Sequence, residues 1–314
     1  MQAVVIDRYG GNEVVHVREM PPPQPGAGQV QIRVRAAGVN PVDWKIRQGQ
    51  LRLLTGRRFP KILGRECAGE ITAVGAGVQR FQSGEQVIAC PGVRRLGAYA
   101  EYVCAGERNT FLKTAAVPFE QAATLPIAGC TALQALRDRG RLAADQQVLI
   151  NGASGGVGTF AVQIARHFGA TVTAVCRAAN HPLVRDLGAH RVIDYTREDF
   201  TRGEHQYDLI FDAVAKSSFR ACKPVLAPRG IYVVTLPSPG VFLNQYLTGW
   251  FTRKQARLIM VKAKAADLTW LQSRIEAGEI RAVIDRRHPL AQVREAFAYS
   301  ESGQARGKIV LTVG

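Results

Sequence analysis

Residues 148–158 read Val-Leu-Ile-Asn-Gly-Ala-Ser-Gly-Gly-Val-Gly, a short apolar run that breaks into a glycine-rich turn. Apolar residues then recur at 157, 160, 161, 164, 165 and 168, which is one face of a helix that begins inside the glycines. A strand that turns directly into a helix places free N–H groups and a partial positive charge at one point, where a pyrophosphate can sit. Gly155, Gly156 and Gly158 leave the approach open, and Gly158 also lets the helix pack closely on the sheet. The alternative is a glycine-rich turn without a ligand. The strand before and the helix after favour a dinucleotide loop.

Outward from this point the pattern repeats. The periodicity predicts strands at 147–151, 171–176, 191–194, 208–214 and 231–236, separated by helical segments. Between the second and third strands, Asn180 is expected to cap a helix with Pro182 in its first turn and its end at Gly188. Between the fourth and fifth, a helix from Ser218 is expected to stop at Pro228 and Gly230. Strand and helix in alternation give a parallel sheet covered on both faces, so the second part of the chain is expected to be doubly wound α/β.

Before about residue 115 the signals are short strands and turns, clearest at Val30, Ile32, Val34 and Ala36. They predict an antiparallel, β-rich first domain. An apolar helical segment through Leu136 follows it. After about residue 265 come a helix carrying Leu268, Leu271 and Ile275 on one face, a strand at 282–285, another helix and a strand at 308–313. This tail either closes the α/β sheet or returns to the first domain.

The 314 residues suggest two domains. With 46% hydrophobic and 21% charged residues, the chain reads as globular, and its apolar runs are broken well before the roughly 18–20 residues a membrane span needs. The N-terminus reads as untargeted and the chain as cytoplasmic. Six cysteines stand singly, without metal-site spacing, and read as buried, reduced thiols. A net charge of +16 favours anionic ligands without choosing between a cofactor and nucleic acid.

A dinucleotide whose ribose hydroxyls are free is usually held by an acidic residue after the second strand. Cys176-Arg177 stands there instead. Arginine cannot accept those hydrogen bonds, but its guanidinium can grip a 2′-phosphate, so NADP(H) is favoured over NAD. A solvated surface charge is the alternative for Arg177.

These residues resemble the medium-chain dehydrogenase/reductase superfamily, in its zinc-free quinone oxidoreductase-like branch, which includes zeta-crystallin-like and alkenal reductases. The likeness runs through AAGVNPVDWKIRQG at 36–49, GRECAGEITAVG at 64–75, GAYAEYV at 97–103, LPIAGCTALQAL at 125–136, NGASGGVG at 151–158, LGAHRVIDY at 187–195 and ARGKIVL at 305–311. It implies an α/β chain made of a GroES-like domain over 1–118, rejoined by 265–314, and a Rossmann domain over 119–264. NADP(H) is implied in the cleft between them.

Arg177 and Tyr195 then hold the 2′-phosphate, Lys308 reaches the cofactor, and Thr131 with the turn after Thr235 lines the nicotinamide. Ser154, Gly155, Gly156, Val157, Val214 and Leu236 complete the implied cofactor-binding set. A packed aromatic is the alternative for Tyr195. Zinc-dependent relatives place a cysteine and a histidine where this chain has Asn40 and Arg65, so no metal is implied.

The implied reaction is hydride transfer from NADPH to a quinone or an α,β-unsaturated carbonyl. Asn40 is the candidate neutral donor at the substrate carbonyl or the nicotinamide ribose, or else a turn residue before Pro41. Asp43 is expected to orient the loop and to stay ionised beside Lys45 and Arg47. Trp44 reads as a pocket wall, and Lys45 or water as the proton source. The basic run from Lys45 to Arg65 attracts an anionic thioester substrate or is a solvated surface.

A biosynthetic enoyl reductase is therefore the second reading. A dinucleotide- or RNA-binding protein with little catalysis is the third, resting on the charge and on the unusual Trp44-Lys45. The stretch from Arg253 to Lys264 beside Trp250 and Phe251 lacks a nucleic-acid-binding motif and adds little. The expected partner is a small molecule. Nucleic acid and membrane are not expected, and a homodimer is common in similar proteins.

Overall fold

The computed structural model describes residues 1–92, 96–237, 239–251 and 253–314. The side chains of Trp250 and Phe251 lie outside the described residues. The chain divides into two compact units, one of Met1–Ile127 with Ala263–Ala277 and Ile284–Gly314, the other of Ala128–Lys262 with Gly278–Val283. Residues 119–127 thus group with the first unit. Among the described residues, no helix is long and apolar enough to cross a membrane. All six cysteines are free thiols.

The first unit is built on a seven-stranded sheet centred on the strand Gln29–Val39. This strand is 11 residues long because it serves three antiparallel partners: Cys67–Val74, Tyr102–Gly106 and Lys308–Thr312. Two register shifts against Cys67–Val74 bend it, as bulges do. Ile309 pairs with Val39 and Leu311 with Ala37, so the C-terminal tail closes this sheet and not the parallel one. The tail strand before it runs Ile284–Pro289, later than the periodicity places it, and joins Lys308–Thr312 in parallel. The connecting helix Val293–Glu301 buries Val293, Ala296 and Phe297 in the same core as Val30, Ile32, Ile71 and Tyr99.

The second unit is a six-stranded, wholly parallel sheet. Its order is Arg191–Asp194, Thr171–Cys176, Gln147–Asn151, Tyr207–Asp212, Leu226–Val234 and Gln255–Leu258. Val148, Leu149, Ile150, Leu209, Ile210 and Phe211 are all fully enclosed, as strands covered on both faces require. The chain leaves the glycine-loop strand to one side first and to the other side later. The order therefore reverses between Gln147–Asn151 and Tyr207–Asp212, the point at which such sheets bind ligands.

Three local readings change. The helix from Ser218 is only Phe219–Cys222, capped by Ser218 Oγ on the Ala221 N–H (3.2 Å). Pro228 and Gly230, read as its stop, lie inside the strand Leu226–Val234, where a register shift against Tyr207–Asp212 accommodates them. Asn180 does precede the helix His181–Asp186, but its side chain does not cap it. The sixth strand, Gln255–Leu258, carries two polar residues in four and gave no strand signal.

Candidate active site

In the second unit the glycine loop turns from the strand Gln147–Asn151 into the helix Gly156–His167, with Gly155 as N-cap. A Cβ on Gly158 would stand 2.1 Å from the Gly152 carbonyl oxygen and 2.7 Å from the Ala153 backbone, so only glycine lets this helix start against its own turn. Gly155 has room: a Cβ there would come no nearer than 3.4 Å to any atom beyond its chain neighbours. Thr159 is the first residue whose N–H bonds back into the helix, to the Gly155 carbonyl (2.9 Å). The N–H groups of Gly156, Val157 and Gly158 have no acceptor within the helix.

Neighbouring strand ends frame this cradle. Ser154 Oγ accepts the Asn180 amide (3.0 Å), the contact that draws Asn180 away from capping. Asn180 Oδ1 and His181 Nε2 beside it are buried without a partner among the described residues. On the other side, the fully enclosed Asp212 accepts from Asn151 Nδ2 (3.0 Å), Tyr232 OH (2.9 Å) and the Ser217 N–H (2.8 Å). It also takes the Val214 N–H (3.3 Å), which fixes the turn carrying Val214. Thr235 Oγ1 donates to the Ala213 carbonyl (3.2 Å). Val214 and Leu236 leave apolar surface exposed at these strand ends, and Thr131 is buried in the helical turn Cys130–Leu133.

Arg177 and Tyr195 follow adjacent parallel strands, paired up to Cys176 and Asp194. Arg177 Nε donates to the Tyr195 hydroxyl at 2.7 Å. Among the described residues no acceptor meets the two terminal guanidinium nitrogens, which remain directed at solvent. The open helix N-terminus, the unpartnered polar atoms beside Ser154 and this half-engaged guanidinium fit a phosphate-bearing dinucleotide.

In the first unit, the expected catalytic residues gather around the helix Pro41–Arg47. Asn40 precedes it, and Asp43 Oδ2 accepts the Asn40 N–H (2.9 Å), a reciprocal helix-start bond. The Asn40 amide turns inward. Its Nδ2 donates to Glu66 Oε1 (2.7 Å) and its Oδ1 accepts from Lys308 Nζ (2.7 Å). Lys308 also donates to Glu66 Oε1 (3.0 Å) and to the Val39 carbonyl (3.1 Å), so its three N–H donors are all engaged within this unit. Glu66 Oε2 accepts the Ile127 N–H (2.8 Å). Glu66 is fully enclosed, and Gly38 makes room for it: a Cβ there would lie 2.3 Å from Glu66 Oε1.

Tyr99 OH donates to Asp43 Oδ2 (2.8 Å). Burial pushes the Asp43 carboxyl up to about 6, partly offset by the Tyr99 hydrogen bond and the Arg65 charge. Lys45 and Arg47, which the sequence pointed to, are therefore not what sets this carboxyl: burial raises its pKa, and a value of about 6 still leaves it mainly ionised at neutral pH. Arg47 is enclosed and pairs with Glu301 (2.8 Å) and Asn12 (3.0 Å), while Lys45 Nζ lies 5.5 Å from the centre of the Trp44 ring. Trp44 is half-buried, and its Nε1 has no partner among the described residues; the same holds for Arg65 Nε and Asp43 Oδ1.

A raised carboxyl pKa means the folded state holds the proton more tightly than the unfolded chain between the ordinary 3.8 and about 6. Stability contributed by Asp43 is present below that window and is lost as pH rises through it. In Asp43→Asn, stability relative to the native chain should improve by about 2 kcal/mol between pH 4 and pH 7, read from urea unfolding at both pH values. A difference that does not change with pH would show that Asp43 is solvated.

Glu66 and Tyr99 lie within GRECAGE and GAYAEYV, and the available signal was an acid and a phenol inside runs of small apolar residues. Asp212 gave a similar cue at the end of an apolar strand.

The family pattern described as alcohol dehydrogenase GroES-like domain matches residues 26–115, and that described as zinc-binding dehydrogenase matches 187–311. The chain is 34% identical over 323 residues to a chloroplast envelope quinone oxidoreductase homolog of Arabidopsis thaliana, covering 99% of this chain and 98% of that one. It belongs to the zinc-free, quinone oxidoreductase-like branch of the medium-chain dehydrogenase/reductase superfamily.

This is a superfamily of pyridine nucleotide-dependent oxidoreductases. An NADPH-dependent alkenal/one oxidoreductase of the same plant is 34% identical over 322 residues, with 99% of this chain and 79% of that one covered. The solved quinone oxidoreductase of Coxiella burnetii superposes with a TM-score of 0.93 at 30% identity, over 100% of this chain and 99% of that one.

The residues present do not fit the zinc of other superfamily branches. Among the described residues no three His, Cys, Asp or Glu side chains converge, and Asn40 and Glu66 are bridged by an ammonium group.

Proposed function

We propose that the chain is a zinc-independent, NADPH-dependent reductase acting on quinones or α,β-unsaturated carbonyls. The observation that carries this reading is the donor set around Asn40. An amide, an arginine and a lysine-bridged carboxylate cannot assemble a metal Lewis acid, so the acceptor must already be activated. NADPH, when bound, supplies the hydride.

The chain's own groups bind and orient. The N–H groups of Gly156, Val157 and Gly158 take the pyrophosphate, and Arg177 with Tyr195 takes the 2′-phosphate. Asp43 is enclosed and holds Asn40 and Tyr99 in place, so it is a positioning residue. Asn40, fixed through Lys308 and Glu66, presents a rigid polar wall. Lys45 or water gives the proton that must follow hydride addition. The basic run gives the thioester reading only part of its charge. Arg47 is enclosed against Glu301 and Lys61 Nζ donates to the Thr55 (3.0 Å) and Arg58 (2.6 Å) carbonyls, whereas Arg52, Arg57 and Arg58 are exposed as a solvated surface is.

Arg177→Ala should weaken NADPH by about 1–3 kcal/mol and leave NADH nearly unchanged, because only the 2′-phosphate contact is removed. Calorimetric titration of both cofactors reads this, and equal losses would contradict the assignment. An acceptor screen tests the reaction: NADPH oxidation by small quinones or alkenals is expected, undiminished by chelators. Turnover only of simple alcohols, abolished by chelation, would overturn the proposal.

A further inference from the structure

The second unit contains a polar cavity of about 420 Å³ lined by Arg139, Arg141, Gln245, Gln255 and Arg257, among others. Arg139 and Arg141 lie in the segment leading into the strand Gln147–Asn151, whereas the glycine loop leaves the other end of that strand. The cavity is thus a different place from the dinucleotide cradle.

Its acceptors are already used. Gln245 Oε1 takes the Leu258 N–H (2.8 Å), and Gln255 Oε1 takes Arg257 Nε (3.1 Å) and Nη2 (2.5 Å). Both amide orientations follow from the partners, since a backbone N–H and a guanidinium only donate. One carboxylate, Asp138, also lines the cavity, and its two oxygens accept from Arg137 Nε (2.6 Å) and Nη2 (3.0 Å). What remains is donors: the two amide NH₂ groups and the guanidinium groups of Arg139 and Arg141, which have no side-chain partner among the described residues. Arg257 Nη1 donates to the Arg139 carbonyl (2.7 Å), a neutral oxygen that leaves its charge uncompensated. Burial, then the charges of Arg141 and Arg139, lower the Arg257 pKa, so the three cations lie close enough to repel one another.

We propose that this cavity binds a multiply charged oxyanion, the phosphate or pyrophosphate group of a small phosphorylated molecule. A planar guanidinium matches two phosphate oxygens at once, and three of them beside two amide donors can surround one such group. The space exceeds what a single phosphate fills, leaving room for its substituent. This site is independent of the proposed reductase chemistry.

Pyrophosphate titrated calorimetrically into the intact protein, with NADPH present and ionic strength held constant with sodium chloride, should bind saturably at one per chain. Arg139→Gln and Arg141→Gly should each weaken it about tenfold or more without changing NADPH affinity. Glycine suits position 141 because its φ is 51°. Arg229→Ala, an exposed arginine elsewhere, should have no effect. Absence of saturation at fixed ionic strength would overturn the proposal, and so would pyrophosphate binding that both cavity variants leave intact, because the anion would then bind outside this cavity.

Discussion

Glu66→Ala is expected to destabilise the protein by about 3–5 kcal/mol, because it leaves the Lys308 ammonium buried without its counter-charge. Lys308 is 3% exposed and Glu66 0%, so neither group can turn to water when the other is lost. The damage extends beyond the pair. Glu66 Oε1 also takes the Asn40 amide, and its other oxygen holds the Ile127 N–H, so the variant frees two further donors in the interior. A double variant, Glu66→Leu with Lys308→Met, should recover much of the loss, since buried ion pairs are often replaceable by apolar groups of similar volume. Urea unfolding of the three variants reads the result. A single-variant cost below about 1 kcal/mol would mean that Lys308 reaches solvent.

Gly158→Ala is expected to weaken NADPH about a hundredfold or more, and to lower thermal stability with it. The added Cβ meets backbone at 2.1 Å and 2.7 Å, which cannot move aside as a flexible side chain would. The helix must then back away from the turn, carrying the N–H groups out of line. Gly155→Ala separates the two effects. Its Cβ would fit the loop, so the fold should keep its stability while the approach of the pyrophosphate is obstructed. Thermal unfolding and cofactor titration of both variants check this, and an unchanged cofactor affinity in Gly158→Ala would remove the glycine loop from the site.

The two variants probe features that differ in how they were legible. Gly158 could be read locally, because a strand, a glycine turn and a helix follow one another within about twenty residues, and their periods of 2 and 3.6 are short-range signals. Arg177 was readable for a related reason, since it follows the second predicted strand. Tyr195 was named by resemblance, and the structure places its hydroxyl 2.7 Å from Arg177 Nε. The expected cofactor role of Lys308 rested on resemblance alone, and the structure shows its donors engaged by Val39, Asn40 and Glu66.

By itself the sequence determined the doubly wound parallel sheet and the glycine-rich turn that leads its first strand into a helix. Each follows from residues near one another in the chain. Only the tertiary structure decided that the C-terminal tail closes the first sheet, that Gln255–Leu258 completes the second, and that Asp43 is enclosed, with its pKa raised by burial. Burial depends on elements that pack from far away: Lys308 meets Glu66 across 242 residues, and Tyr99 meets Asp43 across 56. Periodicity reports which face of an element is apolar, but a charged side chain carries no local mark of the distant partner that allows it to be buried.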